Sequence, residues 1–388
     1  MSTRTTIQLA TRGSDLALRQ TNRVRSWLAD HRIDAELVEV ETRGDRIDDA
    51  LIRDLGKTGA FVRALDRKVM DGEVDAAVHS MKDVPTEEPD EIVIAAVPAR
   101  ADPDDVLVTP EGASLEELPE GAVVGTSSLR RGAQVLARRP DLQIEPLRGN
   151  VDTRLEKVLA PSLQAEHEAR LDAAGTAPDE GSGDEAAGEG SGEQAEGERS
   201  EGAEGDAESA DPDAFEQSPE EWFDSLAEIE RAALGREVET EYDAIVLAKA
   251  GLERSGLLDD VKTVELPLDA HVPSAGQGAL AISAHEDSAI GDDIRSALDH
   301  PPTRVATTVE RILLAELGAG CVAPLGVHAT VKGDVVQTTV QVLSQDGTEE
   351  IRESRALDIE GYADAARDLA EDLAEEGAAE LIQEAKRG

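Results

Sequence analysis

The chain has 388 residues, 84 of them acidic and 38 basic, for a formal net charge of −46. So negative a surface repels nucleic acid and anionic lipid. No apolar run approaches the roughly 18 residues that a membrane-spanning helix needs. The single cysteine, Cys321, rules out an intramolecular disulfide. Aromatics at 2% leave the cores to Ala, Val, Leu and Ile, a balance suited to high salt. The polar stretch Met1–Thr11 has no apolar signal-peptide core, so a cytoplasmic location is expected. The length predicts two or three domains.

From Thr5 to Val97, strand and helix patterns alternate. Ile7 and Leu9 alternate with polar residues, as in a strand. Gly13 and Ser14 end it, and Ser14 can cap a helix carrying Leu16, Ala17, Val24, Trp27 and Leu28 at helical spacing. Leu37, Val38 and Val40 predict a second strand. Phe61, Leu65 and Val69 predict a second helix, closed by Gly72. Val74–Val78 and Ile92–Val97 are apolar runs of buried-strand type. This alternation predicts an α/β fold with a mostly parallel, doubly wound sheet covered by helices.

Asp102-Pro103 marks a crossing into a second unit. Its pattern is strand Ala122–Gly125, helix Ser128–Arg139, strand Leu142–Leu147 and helix Val151–Leu159. From about Ala160 to Thr240 the chain is rich in Glu, Gly, Ala and Ser, with 25 acidic and 4 basic residues and no lysine. Gly175–Asp213 cannot bury enough apolar surface to offset its ordering entropy and is expected to be a disordered surface insertion. Phe215, Trp222, Phe223, Leu226 and Ile229 suggest a short helix at its end. Strand Tyr242–Leu247, helix Lys249–Ser255 and strand Ala279–Ser283 resume the α/β pattern. After His300-Pro301-Pro302 come a helix Thr303–Leu317, three strand-like runs (Leu325–Val331, Val335–Leu343, Glu349–Leu357) and a long helix from Tyr362. These predict a small α+β unit.

Against the acidic trend, cations collect at strand-to-helix junctions. In Gly125-Thr126-Ser127-Ser128-Leu129-Arg130-Arg131 a strand hands over to a helix, whose N-terminus offers unpaired N–H groups and partial positive charge. Hydroxyls and two arginines added there make an anion site. An ordinary capped helix with surface arginines would carry the same residues. The junction has company, however. Arg12-Gly13-Ser14, Ser80-Met81-Lys82-Asp83 and Leu147-Arg148-Gly149-Asn150 with Arg154 follow strands in the same way. In open α/β sheets ligands bind beyond the carboxyl ends of the strands, so four such junctions point to one cleft built for several carboxylates.

Asp83, beside Lys82, is either a salt-bridged loop residue or a carboxylate kept ionised to accept a proton or stabilise a cation. Cys321, in Gly318-Ala319-Gly320-Cys321 before Val322-Ala323-Pro324, is either a small buried apolar residue or an exposed thiol. The seven histidines show no metal-ligand spacing, and no metal is expected.

These residues resemble the porphobilinogen deaminase family. The matching segments are ATRGSDLAL (Ala10–Leu18), TRGD (Thr42–Asp45), AAVHSMKDVP (Ala76–Pro85), VGTSSLRR (Val124–Arg131), RRPDL (Arg138–Leu142), LRGN (Leu147–Asn150), TRL (Thr153–Leu155), YDAIVLAKAGL (Tyr242–Leu252) and GQGA (Gly276–Ala279). The resemblance covers nearly everything outside Ala160–Thr240. It implies two domains of type-II periplasmic-binding-protein type plus a small α+β C-terminal domain. Their bounds are 1–100 with 275–298, then 103–272 with the acidic insertion, then 301–388. It implies a transferase that joins four porphobilinogen molecules head to tail, losing ammonia each time. The chain would grow on a dipyrromethane held by Cys321 through a thioether, and hydrolysis would release hydroxymethylbilane. Asp83 would stabilise the azafulvene-like cation formed as ammonia leaves and help move protons, with Lys82 and Arg12 beside it. Cofactor contacts would come from Ser80, Lys82, Asp83, Thr126, Ser127, Ser128, Arg130 and Arg131. Substrate contacts would come from Arg12, Ser14, Arg148, Gly149, Arg154, Arg254 and Gln277.

One stretch departs from the family pattern. In Arg53–Gly59, Asp54 and Thr58 stand where the family usually has lysine, and Lys57 is displaced by one. Two other readings stay open at this level: a non-catalytic anion-binding module, and a cysteine hydrolase using His328. The expected form is a monomer whose partner is porphobilinogen, without nucleic acid or membrane.

Overall fold

A computed structural model of the chain describes residues 6–40, 58–87, 89–174, 215–319 and 323–387. The segment TRGD, residues 53–57 of the atypical loop, the insertion Gly175–Asp213 and Cys321 lie outside the described residues.

The first stretch runs β1 (Ile7–Thr11), α1 (Asp15–Asp30), β2 (Ala35–Glu39), α2 (Thr58–Met70), β3 (Ala76–Ser80), a single 3₁₀ turn Met81–Asp83, and β4 (Ile92–Ala96). The second runs β5 (Asp105–Val108), β6 (Val123–Gly125), α3 (Leu129–Arg138), β7 (Gln143–Glu145) and α4 (Val151–Ala173). It continues through α5 (Pro219–Ser225), α6 (Glu228–Leu234), β8 (Ala244–Ala248), α7 (Lys249–Ser255) and β9 (Thr263–Leu266). The chain then returns as β10 (Leu280–His285) and α8 (Ala289–Leu298). It ends as α9 (Pro301–Glu316), β11 (Leu325–Lys332), β12 (Val335–Leu343), β13 (Glu350–Asp358), α10 (Tyr362–Glu375) and α11 (Ala378–Arg387).

Three sheets result, ordered β2-β1-β3-β10-β4, β7-β6-β8-β5-β9 and β11-β12-β13. The expectation of mostly parallel sheets is corrected here. β1 runs parallel to β2 and β3, and β6 parallel to β7 and β8. β10 runs antiparallel to β3 and β4, however, and β5 antiparallel to β8 and β9. The cause is the connection. Each of these two strands enters its sheet from an inter-sheet crossover rather than from a covering helix, so nothing turns it parallel. Both five-stranded sheets therefore share one strand order with one reversed member, the layout that the resemblance implies.

The cores are aliphatic. Leu9, Val24, Leu28, Val78, Ile282 and Ile294 fill the first, and Val309, Leu313, Val327, Val340, Leu369 and Leu373 the third. In the second, α4 runs on to Ala173, well past the expected Leu159. Leu163 stays buried there, and Trp222 of α5, Leu226 just after it and Ile229 of α6 pack into the same cluster with Leu155 and Leu159. The end of the acidic stretch thus forms two short helices where one was expected. β5 and β9 are only four residues each, too short to show a period in the sequence.

The two crossovers pack back to back. A Cβ at Gly278 (φ +82°) would lie 2.6 Å from Ala101 O, and one at Gly276 (φ +73°) 2.6 Å from Met81 Cγ and 3.1 Å from Lys82 N. The GQG motif thus lets the return crossover touch both the outgoing crossover and the Met81–Asp83 turn. The fully buried Glu310 of α9 fastens the third body to this junction. It pairs with Arg100 at 2.6 Å and accepts hydrogen bonds from Gly276 N (2.7 Å) and Ala329 N (2.8 Å).

Candidate active site

Four cation-bearing turns sit at the carboxyl ends of parallel strands, as their order in the sequence predicts. Arg12 and Ser14 follow β1, and Ser14 occupies the N-cap position of α1 in extended conformation without a side-chain cap bond. Lys82 and Asp83 lie in the 3₁₀ turn that follows β3 and Ser80. That turn is pinned from below by Met81, which is 2% exposed and whose N–H donates to Ala279 O at 3.0 Å. Arg311 of α9 holds its far side by donating to Val84 O (2.8 Å) and Pro85 O (2.7 Å).

On the second sheet, Thr126–Ser128 joins β6 to α3. Ser127 Oγ donates to Leu147 O at 2.6 Å, so this turn and the Leu147–Asn150 turn are one piece. Thr126 Oγ1 accepts from Ser128 N, and Ser128 caps α3 by accepting from Arg131 N. Arg148 and Gly149 lie in the second turn, followed by Arg154, whose Nε donates to Gly149 O at 2.9 Å. Asn150 caps α4 by accepting from Thr153 N at 2.8 Å.

Arg130 and Arg131, expected to face ligand carboxylates, turn inward instead. Both converge on Asp105, the first residue of β5, which is 1% exposed. Arg130 Nη1 lies 2.7 Å from Asp105 Oδ2, and Arg131 donates to Oδ1 from Nε (3.0 Å) and Nη2 (2.8 Å). Gln277 Nε2 donates to the same Oδ1 at 2.9 Å and to Pro103 O at 2.6 Å. Burial alone would raise this carboxyl's pKa, but the two guanidinium groups overcome it and hold the group below the usual carboxylate range. Arg130 also donates to Val272 O and Gln134 Oε1, both at 2.9 Å. Arg254, on α7, donates to Gly278 O, and burial together with Arg23 lowers its pKa to about 10. Arg254 and Gln277, expected at the substrate, are therefore tied to the crossovers. In the sequence, Asp105 shows only as the second acid of Asp104-Asp105, ahead of the apolar run Val106–Val108.

The two sets of turns meet electrostatically. Burial lowers the pKa of Lys82; Asp83 opposes this, while Arg131 and Arg154 add to it. Burial likewise brings Arg154 down to about 10, with Arg131 contributing. Besides burial, cations of the second sheet thus act on Lys82, beside Asp83 on the first. Such a region has positive charge in excess and stabilises a ligand bearing several carboxylates. A dipyrromethane with acetate and propionate groups fits that requirement.

Fold and turns together define an α/β protein of two five-stranded sheets that gathers cations at the carboxyl ends of its strands. The family described as "Porphobilinogen deaminase, dipyromethane cofactor binding domain" matches residues 7–173 and 231–291, and its C-terminal domain matches residues 305–379. The probable porphobilinogen deaminase of Halobacterium salinarum is 57% identical over 388 residues, 98% of each chain. The porphobilinogen deaminase of Brevibacillus brevis is 34% identical over 393 residues, covering 98% of this chain and 97% of that one. This chain belongs to the porphobilinogen deaminase family. It is a transferase of tetrapyrrole biosynthesis that uses a dipyrromethane cofactor, joins four porphobilinogen molecules with loss of ammonia and releases hydroxymethylbilane.

Proposed function

We propose that Cys321 carries the dipyrromethane through a thioether, that Asp83 is the carboxylate at the reacting centre, and that Arg12, Lys82, Arg148 and Arg154 hold acetate and propionate groups. When bound, the cofactor supplies the pyrrole carbon from which the chain grows. Lys82 and Arg154 are desolvated by burial and have other cations nearby, so a ligand carboxylate stabilises the charge of each of them. Asp83 accepts hydrogen bonds from pyrrole N–H groups and offsets the positive charge that develops on the substrate as ammonia leaves. We assign Arg130 and Arg131 to maintaining the positive field and the orientation of the helix α3 N-terminus, since Asp105 engages their guanidinium groups. Ser14, Ser80, Thr126, Ser127, Ser128 and the Gly149 backbone supply hydrogen bonds. Gln277 and Arg254 act on the crossovers that join the two sheets.

The observation that carries this reading is that Arg131 and Arg154 of the second sheet lie near enough to act on the buried Lys82, which adjoins Asp83 on the first. The test is denaturing mass spectrometry with turnover. The purified protein should exceed its sequence mass by one dipyrromethane unit, and Cys321→Ser should abolish the excess. Asp83→Asn should keep fold and porphobilinogen binding while kcat falls by about 100-fold or more. Normal turnover by either variant rejects the assignment. We further read the protein as a cytoplasmic monomer without nucleic-acid or membrane partners. The charge of −46 supports this. Among the described residues, no helix is long and apolar enough to cross a membrane, and Phe223 is the one exposed large apolar side chain.

A further inference from the structure

A Ser, a His and an Asp meet in the first body, beneath the Met81–Asp83 turn. His79, on β3, has its Nε2 2.9 Å from Asp66 Oδ1 and 3.1 Å from Ser283 Oγ, and Ser283 Oγ donates to the same Asp66 Oδ1 at 2.7 Å. All three residues are buried, at 6%, 3% and 4% exposure. The geometry is not that of a nucleophile triad. That arrangement places the hydroxyl and the orienting carboxylate on opposite ring nitrogens, whereas here both sit on Nε2, out of reach of solvent. The proton positions follow from the donor inventory. Ser283 gives its only proton to Asp66, so its oxygen can only accept, and Nε2 of His79 must carry the hydrogen shared by both oxygens.

The network joins three elements with different origins. Asp66 lies on α2, whose Val62, Leu65 and Val69 are buried on the sheet. His79 is the fourth residue of β3, and the Met81–Asp83 turn begins two positions later. Ser283 is on β10, the strand that returns from the second body. It pairs with Ala77 while His79 pairs with Ala281, so the two side chains are diagonal neighbours on one face. Below Lys82 and Asp83, the position of the turn is therefore set by strand pairing locked by this polar clip. Above, it is set by Arg311 on Val84 O and Pro85 O.

We propose that His79 is a positioning residue for this reaction. Through Asp66 and Ser283 it fixes β3 against α2 and β10, and so holds Lys82 and Asp83 where the two sheets' charges converge. The proposal rests on the assignment of Asp83 made above. Without the Nε2 donor, the buried Asp66 carboxylate keeps only the serine proton and the three elements can shift against one another. Displacement by a fraction of an ångström at the turn weakens a transition-state contact more than it weakens ground-state binding.

The experiment uses full-length protein whose cofactor mass has been confirmed. His79→Leu should lower kcat by about tenfold or more with KM within about twofold of the parent. His79→Gln, whose amide nitrogen can occupy the Nε2 position, should recover kcat to within about threefold. A folded, cofactor-loaded His79→Leu with kcat within twofold of the parent overturns the proposal. So does a Gln variant as impaired as the Leu variant, because the hydrogen bond would then not be the cause. If His79→Leu does not fold, Asp66→Asn decides: reduced kcat at unchanged KM supports the proposal, and unchanged kcat overturns it. Failure of the Asp83 assignment reads differently, as normal turnover in Asp83→Asn.

Discussion

Replacing Asp105 by Asn removes one negative charge from a place where two positive charges depend on it. The exchange is nearly isosteric, so shape is preserved while Arg130 and Arg131, 4% and 8% exposed, lose their counter-ion. Three hydrogen bonds of 2.8–3.0 Å end on its Oδ1, and Arg130 adds an ion-pair contact to Oδ2 at 2.7 Å. Breaking a buried pair from one side costs about 3–5 kcal/mol, because the remaining charge is stranded. Total stability is only about 5–15 kcal/mol. Unfolding entropy grows with chain length, so at 388 residues about 1 kcal/mol moves Tm by only about 1–2 °C, and a fall of roughly 3–10 °C is expected. The assay is calorimetry of cofactor-loaded protein at one fixed KCl concentration. The pH dependence has a defined sign. The folded pKa of Asp105 lies below the unfolded value near 3.8, so its contribution is complete above that value and is lost only in stronger acid. The Tm gap between parent and variant should therefore stay constant from pH 6 to pH 8. A fall of less than about 2 °C would refute the view that Asp105 compensates both arginines.

Other outcomes follow from single residues. A Cβ at Gly347 (φ +73°) would lie 2.4 Å from Ala137 N and 2.7 Å from Ala133 O, both backbone atoms of α3. Gly347→Ala should push the β12–β13 hairpin off α3 at a cost of about 1–3 kcal/mol, visible as a lower Tm, with KM for porphobilinogen raised because α3 carries the Ser128 turn. Burial brings the pKa of His271 down to about 4 from its ordinary 6.5; Arg138 and Arg130 add to this and Asp105 opposes it. The unfolded chain then binds the extra proton between pH 6.5 and 4, so stability rises with pH across that window. His271→Gln should flatten the slope of Tm against pH there. An unchanged slope would show that the proton is taken up elsewhere.

The legible parts of the sequence were those where one local rule decided the outcome. The helix that starts at Ser128 and the three C-terminal strands each follow from capping chemistry or from alternation. The site was legible as a set of positions but not as a set of directions. Gly125–Arg131 marks a helix N-terminus correctly, yet residues 130–135 of α3 are all buried. The side chains of Arg130, Arg131 and Gln134 meet Asp105, Val272 and Gln341 inside the protein. In so acidic a chain, arginine reads as a ligand-facing cation. Only the tertiary partner, twenty-five residues upstream of Arg130 at Asp105, reveals that two of them pair inside the protein. β5 escaped notice because Asp105–Val108 is too short to show a period, and its burial comes from strands far away in sequence. The parallel-sheet expectation failed for a related reason: strand direction was set by crossovers between bodies, which periodicity within one segment does not encode.

The exchange of single strands at the crossovers also bears on how the chain is made. All strands of the second sheet fall within residues 105–266, so that body can assemble as soon as its own segment has left the ribosome. The first sheet has no such independence. β4 pairs only with β10, and β3 reaches β4 only through β10. At about 5–20 residues per second, the nascent N-terminal half therefore waits roughly 10–40 s with two open strand edges before its closing strand emerges. The later-encoded body is complete first, and the earlier-encoded one must be kept from pairing with its neighbours in the meantime.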